Sequence, residues 1–174
     1  MALRLRKHCG ECGHRYPPDA YSPDTCEYTC LNCGTPDWEN TKPVSIVLIP
    51  YQDGLLVVER SADLPGGGKV SPPGGFLTIE DWRVGGARET LEEAWVVIHE
   101  PEWIRPVAVR STPDGTRVLI FGLYEQTYDV QPFVATNESS RRTFVTRDTL
   151  PSDIAFPIHA DIIRRYFAGE YTAK

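Results

Sequence analysis

The run Arg88-Glu89-Thr90-Leu91-Glu92-Glu93, preceded by Gly74-Gly75, constrains this chain more than any other feature. Glu89, Glu92 and Glu93 stand at helical i, i+3, i+4 spacing. At 3.6 residues per turn they share an arc of roughly 100° on one helix. Like charges so placed repel by about 0.2–0.5 kcal/mol per pair. A hard divalent cation reverses that sign, because Mg²⁺ and Mn²⁺ prefer clustered oxygen donors. The spacing therefore predicts a helix over residues 79–95 with a metal platform on one side. Val84, Ala87, Leu91 and Ala94 fall on the opposite side as the expected core stripe. The bland alternative is a solvated acidic face; Gly74, Gly75, Glu80 and Arg88 falling in register ahead of the triad weigh against it.

Five cysteines are crowded between residues 9 and 33, and none follows. An odd count in so short a stretch argues for metal ligation over a disulfide framework. Cys9-Gly10-Glu11-Cys12-Gly13 and Cys30-Leu31-Asn32-Cys33-Gly34 are paired C-x-x-C-G turns. Each delivers two thiolates to one side of an ion, and four soft ligands in a tetrahedron suit Zn²⁺. The pattern looks like a zinc ribbon. Cys26 is read as a spare thiol, with replacement of one of the four as the alternative. His8 and His14 flank the first turn and are expected beside the site. With all four positions closed by protein, the ion is structural and leaves no room for a reactive water. A module of about 30 residues cannot bury enough core to fold without such a staple.

At 174 residues the chain has room for one well-cored domain and this appendage, with expected boundaries of 1–40 and 41–174. No apolar run reaches the ~20 residues that span a bilayer, and the N-terminus lacks the apolar stretch of a signal peptide. The expectation is a cytoplasmic protein. A net charge of −6 counts against a general nucleic-acid binder. Beyond the cysteines the pattern becomes strand-like: residues 44–50, a turn at Gln52-Asp53-Gly54, then 55–60. Residues 61–69 are glycine-rich but lack the Lys-Ser/Thr ending of a phosphate loop. Strands follow at 103–110, 117–124 and 142–145, and a closing helix at 159–167 has Ile162, Ile163 and Tyr166 as its apolar face. His99 and His159 have no supporting constellation and are expected at the surface or in packing. Gly85 and Gly86 weaken the acidic helix by up to ~1 kcal/mol each relative to alanine.

Read from Gly74, the acidic segment resembles the Nudix hydrolase box, G-x5-E-x7-R-E-U-x-E-E-x-G-U with U a bulky aliphatic residue. Gly74, Glu80, Arg88, Glu89, Glu92, Glu93 and Val96 match. Thr90 replaces an aliphatic residue, and Trp95 replaces the glycine that normally ends the helix. Counted from Gly75, the loop is one residue short and reaches Asp81, so either Glu80 or Asp81 could fill the outer carboxylate position. Together with the cysteine pairs, Asn40-Thr41-Lys42-Pro43-Val44 and Ile154-Ala155-Phe156-Pro157, the chain is similar to the zinc-ribbon subgroup of that family, which includes ADP-ribose, FAD and NADH pyrophosphatases. The Ser-Gln-Pro-Trp-Pro-Phe-Pro array of the NADH-cleaving members has no counterpart here, which counts against NADH.

The resemblance implies an α/β fold: an α/β/α sandwich around a mixed sheet, preceded by a small N-terminal zinc ribbon. It implies divalent-metal-dependent hydrolysis of the diphosphate linkage in a nucleoside diphosphate derivative such as ADP-ribose or FAD. The partner would be a small nucleotide, the catalytic ion Mg²⁺ or Mn²⁺, the ribbon ion Zn²⁺, and the common assembly a homodimer. Glu89 and Glu93 would be the principal metal ligands, Glu92 would complete the set, and the carbonyl of Gly74 or Gly75 could add another. Arg88, always protonated, would orient the carboxylates. The base is left open among the box acids, Glu125 and Glu138. Arg60 is a candidate diphosphate contact, with a plain surface role as its alternative. Gly75 and Phe76 complete the substrate-side candidates, and Phe76 is a weak one, since aromatic residues usually serve packing. Two alternatives keep the same site: a catalytically silent nucleotide sensor, and a nucleoside triphosphate pyrophosphatase.

Overall fold

In the computed structural model, which describes residues 6–171, the chain divides between Thr41 and Lys42 into two compact units. The first carries β1 (Tyr21–Ser22), β2 (Glu27–Thr29) and β3 (Pro36–Trp38), an antiparallel sheet in the order β1-β2-β3. Its core holds only Cys9, Tyr16, Tyr28 and Cys30, with the Tyr16 and Tyr28 rings stacked at 4.8 Å. Both cysteine turns close alike: Gly13 N donates to Cys9 O (3.0 Å) and Gly34 N to Cys30 O (2.8 Å). Gly13 and Gly34 sit at φ 70° and 72°, a conformation that a side chain disfavours.

The second unit begins with β4 (Lys42–Tyr51), β5 (Gly54–Arg60), β6 (Val70–Ser71) and β7 (Gly74–Phe76). Helix α1 (Trp82–Ala94) follows, then β8 (Val96–Ile98), a single 3-10 turn at Pro101–Trp103, β9 (Arg105–Ser111) and β10 (Arg117–Leu123). The unit closes with β11 (Tyr128–Val130), β12 (Ser139–Val145) and α2 (Pro157–Phe167). The main sheet runs β12-β5-β4-β10-β9, with β6 on β5 and β7 on β4. β4 and β10 are parallel and the other pairs antiparallel, so the sheet is mixed. β8 and β11 form a separate two-stranded ladder.

Strand β4 shows why the centre reads as a continuous apolar run. Ile46 and Leu48 pack into one core with Ile162 and Ile163 of α2, while Val47 and Ile49 enter the other with Ala87 and Ala94 of α1. A strand buried on both faces needs apolar residues at every position. The result is the expected α/β/α sandwich. No described helix is long and apolar enough to cross a membrane.

Two expectations need correction. Helix α1 starts at Trp82, not near residue 79, because the Asp81 carboxylate caps it by accepting from Arg83 N at 2.8 Å. The proposed core stripe is partly on the outside: Val84 and Leu91 are 49% and 41% exposed. The buried face is instead Gly85, Gly86, Glu89, Thr90, Glu93 and Ala94, so α1 turns its acids inward. His159, by contrast, is a packing residue as expected, 8% exposed between the rings of Phe121 and Phe156, and burial pushes its imidazole down to about 4.

Gly86 explains how α1 lies so close to the sheet. A Cβ there would stand 2.7 Å from Ser45 Oγ and 2.8 Å from Val47 Cγ2. Alanine's better helix propensity, worth about 1 kcal/mol, is therefore expected to lose to overpacking of about 1–3 kcal/mol. Chemical denaturation of Gly86→Ala should show a lowered midpoint; a neutral or stabilising result would mean that the helix can shift off β4.

Candidate active site

Strand β7 passes beneath the acidic face of α1, and its backbone does the gathering. Gly74 N donates to Glu93 Oε2 at 2.9 Å. Gly75 lies so close to Glu89 that a Cβ there would displace the carboxylate from its present place. Glu89 and Glu93 are 7% and 3% exposed, whereas the Glu92 side chain is 57% exposed.

Arg88 is the hub of the outer half of the cluster. Its Nη2 reaches Glu80 Oε1 at 2.7 Å and Nε reaches Glu80 Oε2 at 3.3 Å, a two-point grip. Nη1 donates to Glu89 Oε1 (2.7 Å) and Glu92 Oε2 (3.1 Å), and Nη2 to Phe76 O (3.2 Å). With Arg88 and the Thr78 amide donating to it, Glu80 is held down to about 2. Asp81, spent on the helix cap, makes no such contact, so Glu80 is the acid that joins the cluster.

Glu93 is different: no described cation pairs with it within 4 Å. Burial pushes its carboxyl up to about 7 against the pull of the Gly74 amide and Arg60, and Glu138 and Glu89 add to the rise. Burial likewise pushes Glu89 up, opposed by Arg88, with Glu92 and Glu138 again raising it. Glu138 is thus near enough for its charge to be felt at both acids. Glu125 is engaged elsewhere, paired with Arg105 at 3.1 Å. Arg60 donates to Pro65 O at 2.9 Å, its guanidinium lies 5.2 Å from the Phe156 ring centroid, and its charge reaches Glu93. Phe76 offers the cluster its carbonyl; its ring lies near Arg117, 5.7 Å from that guanidinium carbon.

Sequence reasoning missed Arg142. Its Nη1 donates to Ala94 O (2.7 Å), Trp95 O (3.2 Å) and Gln131 O (3.0 Å), placing a cation on the open carbonyls at the end of α1. No local pattern around Arg142 announces this; only the pairing of β12 with β5 delivers it. Trp95, in the position of the expected glycine, takes the left-handed conformation that glycine would (φ 55°, ψ 41°), and its amide caps Leu91 O and Thr90 O.

A hard divalent cation fits this donor set. Buried carboxylates lacking a cation are costly, and Mg²⁺ is content with one or two carboxylates plus waters. As they stand, however, the only described side chains drawn close enough to share one ion in a group of three or more are the thiols of Cys9, Cys12, Cys30 and Cys33, all within 4.8 Å of one another. Cys9 and Cys33 sulfurs are 3.8 Å apart and those of Cys12 and Cys30 3.6 Å. A tetrahedron with 2.3 Å metal–sulfur bonds has edges of about 3.8 Å, so the thiols already stand at ligand spacing. Cys26, exposed, lies outside this group.

The state of Glu93 gives a pH expectation for metal-free protein. Its folded value lies above its ordinary 4.5 at about 7. Its contribution to stability is therefore complete below about 4.5 and lost as pH rises through about 7, on the order of 3 kcal/mol at most. Thermal melts should show Mn²⁺ stabilising the protein more at pH 8 than at pH 5.5, because the ion binds the charged form. An equal shift at both pH values would contradict this.

No protein-family model and no curated protein matches the sequence. Solved structures do. A Nudix hydrolase from Nitrosomonas europaea superposes with a TM-score of 0.73 at 27% identity, covering 95% of this chain and 93% of that one. A MutT Nudix hydrolase from Burkholderia pseudomallei matches at 0.61 and 17% identity over 72% of this chain and 97% of that one. A bifunctional NMN adenylyltransferase/ADP ribose pyrophosphatase from Francisella tularensis, complexed with AMP and a manganese ion, matches at 0.56 and 21% identity over 74% of this chain and 42% of that one. The last two likenesses speak for the fold alone, which is that of the Nudix hydrolases.

Proposed function

We propose that this protein is a Mg²⁺- or Mn²⁺-dependent pyrophosphohydrolase that cleaves the diphosphate linkage of a nucleoside diphosphate derivative, such as ADP-ribose or FAD, to a nucleoside monophosphate and a phosphorylated remainder. The chain is a hydrolase acting on phosphorus-containing anhydrides, in keeping with its match to the Nitrosomonas Nudix hydrolase along nearly its whole length. The observation that carries the finer reading is Glu93, a buried carboxylate with no cation within 4 Å among the described residues, set one helical turn from buried Glu89 and hydrogen-bonded to the Gly74 amide.

Glu93 and Glu89 would hold the ion, with the exposed Glu92 swinging from Arg88 to join them. When bound, the divalent ion neutralises phosphate oxygens and lowers the pKa of the attacking water. Arg88 would keep Glu80 and Glu89 oriented through the contacts it already makes. Arg60, at the end of β5, would turn from Pro65 O to take a phosphate oxygen. Glu138 would accept the proton of the attacking water as general base. The water oxygen bonds to one phosphorus, the P–O–P bridge bond breaks, and the departing phosphate keeps that electron pair. In the first unit, Zn²⁺ on the four thiols would be structural.

A substrate panel tests this reading. Full-length protein is incubated with Mg²⁺ or Mn²⁺ and ADP-ribose, FAD, NADH, diadenosine polyphosphates or nucleoside triphosphates. AMP released from ADP-ribose or FAD is the expected result. Inorganic pyrophosphate from triphosphates alone would identify a triphosphate pyrophosphatase, and no product from any compound would overturn the reading.

A further inference from the structure

Trp95 occupies a backbone conformation that suits glycine, at φ 55° and ψ 41°. A side chain there costs about 1–2 kcal/mol, which a glycine at the same helix end would avoid. A strained residue at the edge of a site calls for a compensating contact, and the indole makes one. Trp95 Nε1 donates to Val134 O at 2.9 Å. Gln131 N donates to Trp95 O at 2.9 Å, extending the β8–β11 ladder by one bond. Arg142 Nη1 bridges Ala94 O, Trp95 O and Gln131 O, with its guanidinium 5.8 Å from the Phe133 ring centroid. These contacts fasten residues 131–134 to the last turn of α1, the turn that carries Glu92 and Glu93.

The far end of the same segment is also fixed. Thr136 Oγ1 accepts from the amides of Glu138 (3.1 Å) and Ser139 (3.0 Å), and Ser61 N donates to Glu138 O at 2.9 Å. Glu138 therefore ends a short strap running from the C-terminus of α1 to the end of β5. The strap has little packing of its own: Val134 is 57% exposed, and Ala135 and Asn137 are exposed too. Hydrogen bonds, not a core, hold it.

We propose that Trp95 is a positioning residue: its indole hydrogen bond fixes the 131–138 strap and with it the place of Glu138 at the end of β5, where Glu138 O accepts from Ser61 N and the next residue, Ser139, pairs with Arg60. The inference rests on Glu138 being the base in the reaction proposed above. One neutral hydrogen bond contributes about 1 kcal/mol to stability, too little to decide folding. A misplacement of about 1 Å in a catalytic group, by contrast, can cost roughly 100-fold in rate. The left-handed backbone at Trp95 is thus tolerated for the sake of the strap.

The test is Trp95→Gly, which relieves the backbone and removes the indole. The melting temperature should stay level or rise. On whichever diphosphate substrate the wild type cleaves, kcat should fall about 10–100-fold, with KM and the Mn²⁺ half-saturation unchanged. Amides of residues 134–138 should exchange with deuterium faster. Trp95→Phe, which keeps a ring and the backbone but has no N–H to donate, should lose kcat as well. Adding Trp95→Gly to Glu138→Gln should cost nothing further, because a misplaced base matters only while the base is present. Wild-type kcat in Trp95→Gly, or an additive loss in the double variant, would overturn the proposal. If the wild type cleaves no diphosphate, the reading of the reaction fails, and the exchange comparison alone decides whether Trp95 fixes the strap.

Discussion

Glu93→Gln is expected to lower kcat by more than about 100-fold while leaving the fold intact. Loss of an outer partner of a metal site already costs about 10–100-fold, and Glu93 is read as a ligand itself. The substitution is isosteric, and the amide oxygen of glutamine can still accept from Gly74 N as Glu93 does. Above pH 7 the wild type buries a charge at this position that the ion must offset; glutamine carries none. Metal-free Glu93→Gln should therefore melt no lower than metal-free wild type at pH 8, and its stabilisation by Mn²⁺ should shrink. Steady-state turnover and melts with and without Mn²⁺ decide the matter. Full turnover in this variant would remove Glu93 from the reaction, whatever its burial.

The contrast between Glu93 and its neighbours shows how far the sequence could be read. The spacing of Glu89, Glu92 and Glu93 placed the acids on one helix, and that part needed only the helical period. The direction in which they face did not follow from it. Val84 and Leu91 look like a core stripe beside three charges, and a hydrophobicity argument turns them inward. The structure turns them outward, because Gly86 lets α1 lie close on β4, and Gly85 lets it lie close on Leu77 and Glu80, so that Glu89 and Glu93 face inward. Propensity marks those glycines as weaknesses; tertiary packing puts them where a Cβ would hold the helix away from its neighbours. β7 was illegible for a related reason, since Gly74-Gly75-Phe76 has the composition of a turn and becomes a strand only by pairing with Val44 to Ile46. The long central strands were legible, because burial on both faces leaves an apolar run in the sequence. Arg142 and the strap of residues 131–138 were not, because they act through contacts that only the folded sheet creates.

Cys30→Ser is expected to release the ion of the first unit and unfold residues 6–41, with little effect on the sheet and helices after Lys42. Cys30 is 1% exposed and its sulfur stands 3.6 Å from that of Cys12, so serine replaces a soft buried ligand by a poor one. The unit has no reserve against this loss: apart from two of the cysteines its buried core is Tyr16 and Tyr28, and its longest strands have three residues. Structural zinc supplies roughly 10–16 kcal/mol of apparent binding energy in modules of this kind, far more than two stacked tyrosines contribute. Metal analysis of the purified chain should find one zinc in wild type and none in Cys30→Ser. Deuterium exchange should show protection lost over residues 6–41 and kept in β4, β5, β10 and α1. Cys26→Ser serves as the comparison, since Cys26 lies outside the thiol group and should keep both zinc and protection. Loss of zinc in Cys26→Ser, with Cys30→Ser unaffected, would mean that the wrong thiol was assigned. Loss of protection throughout the chain in Cys30→Ser would mean that the unit after Lys42 depends on the ion as well.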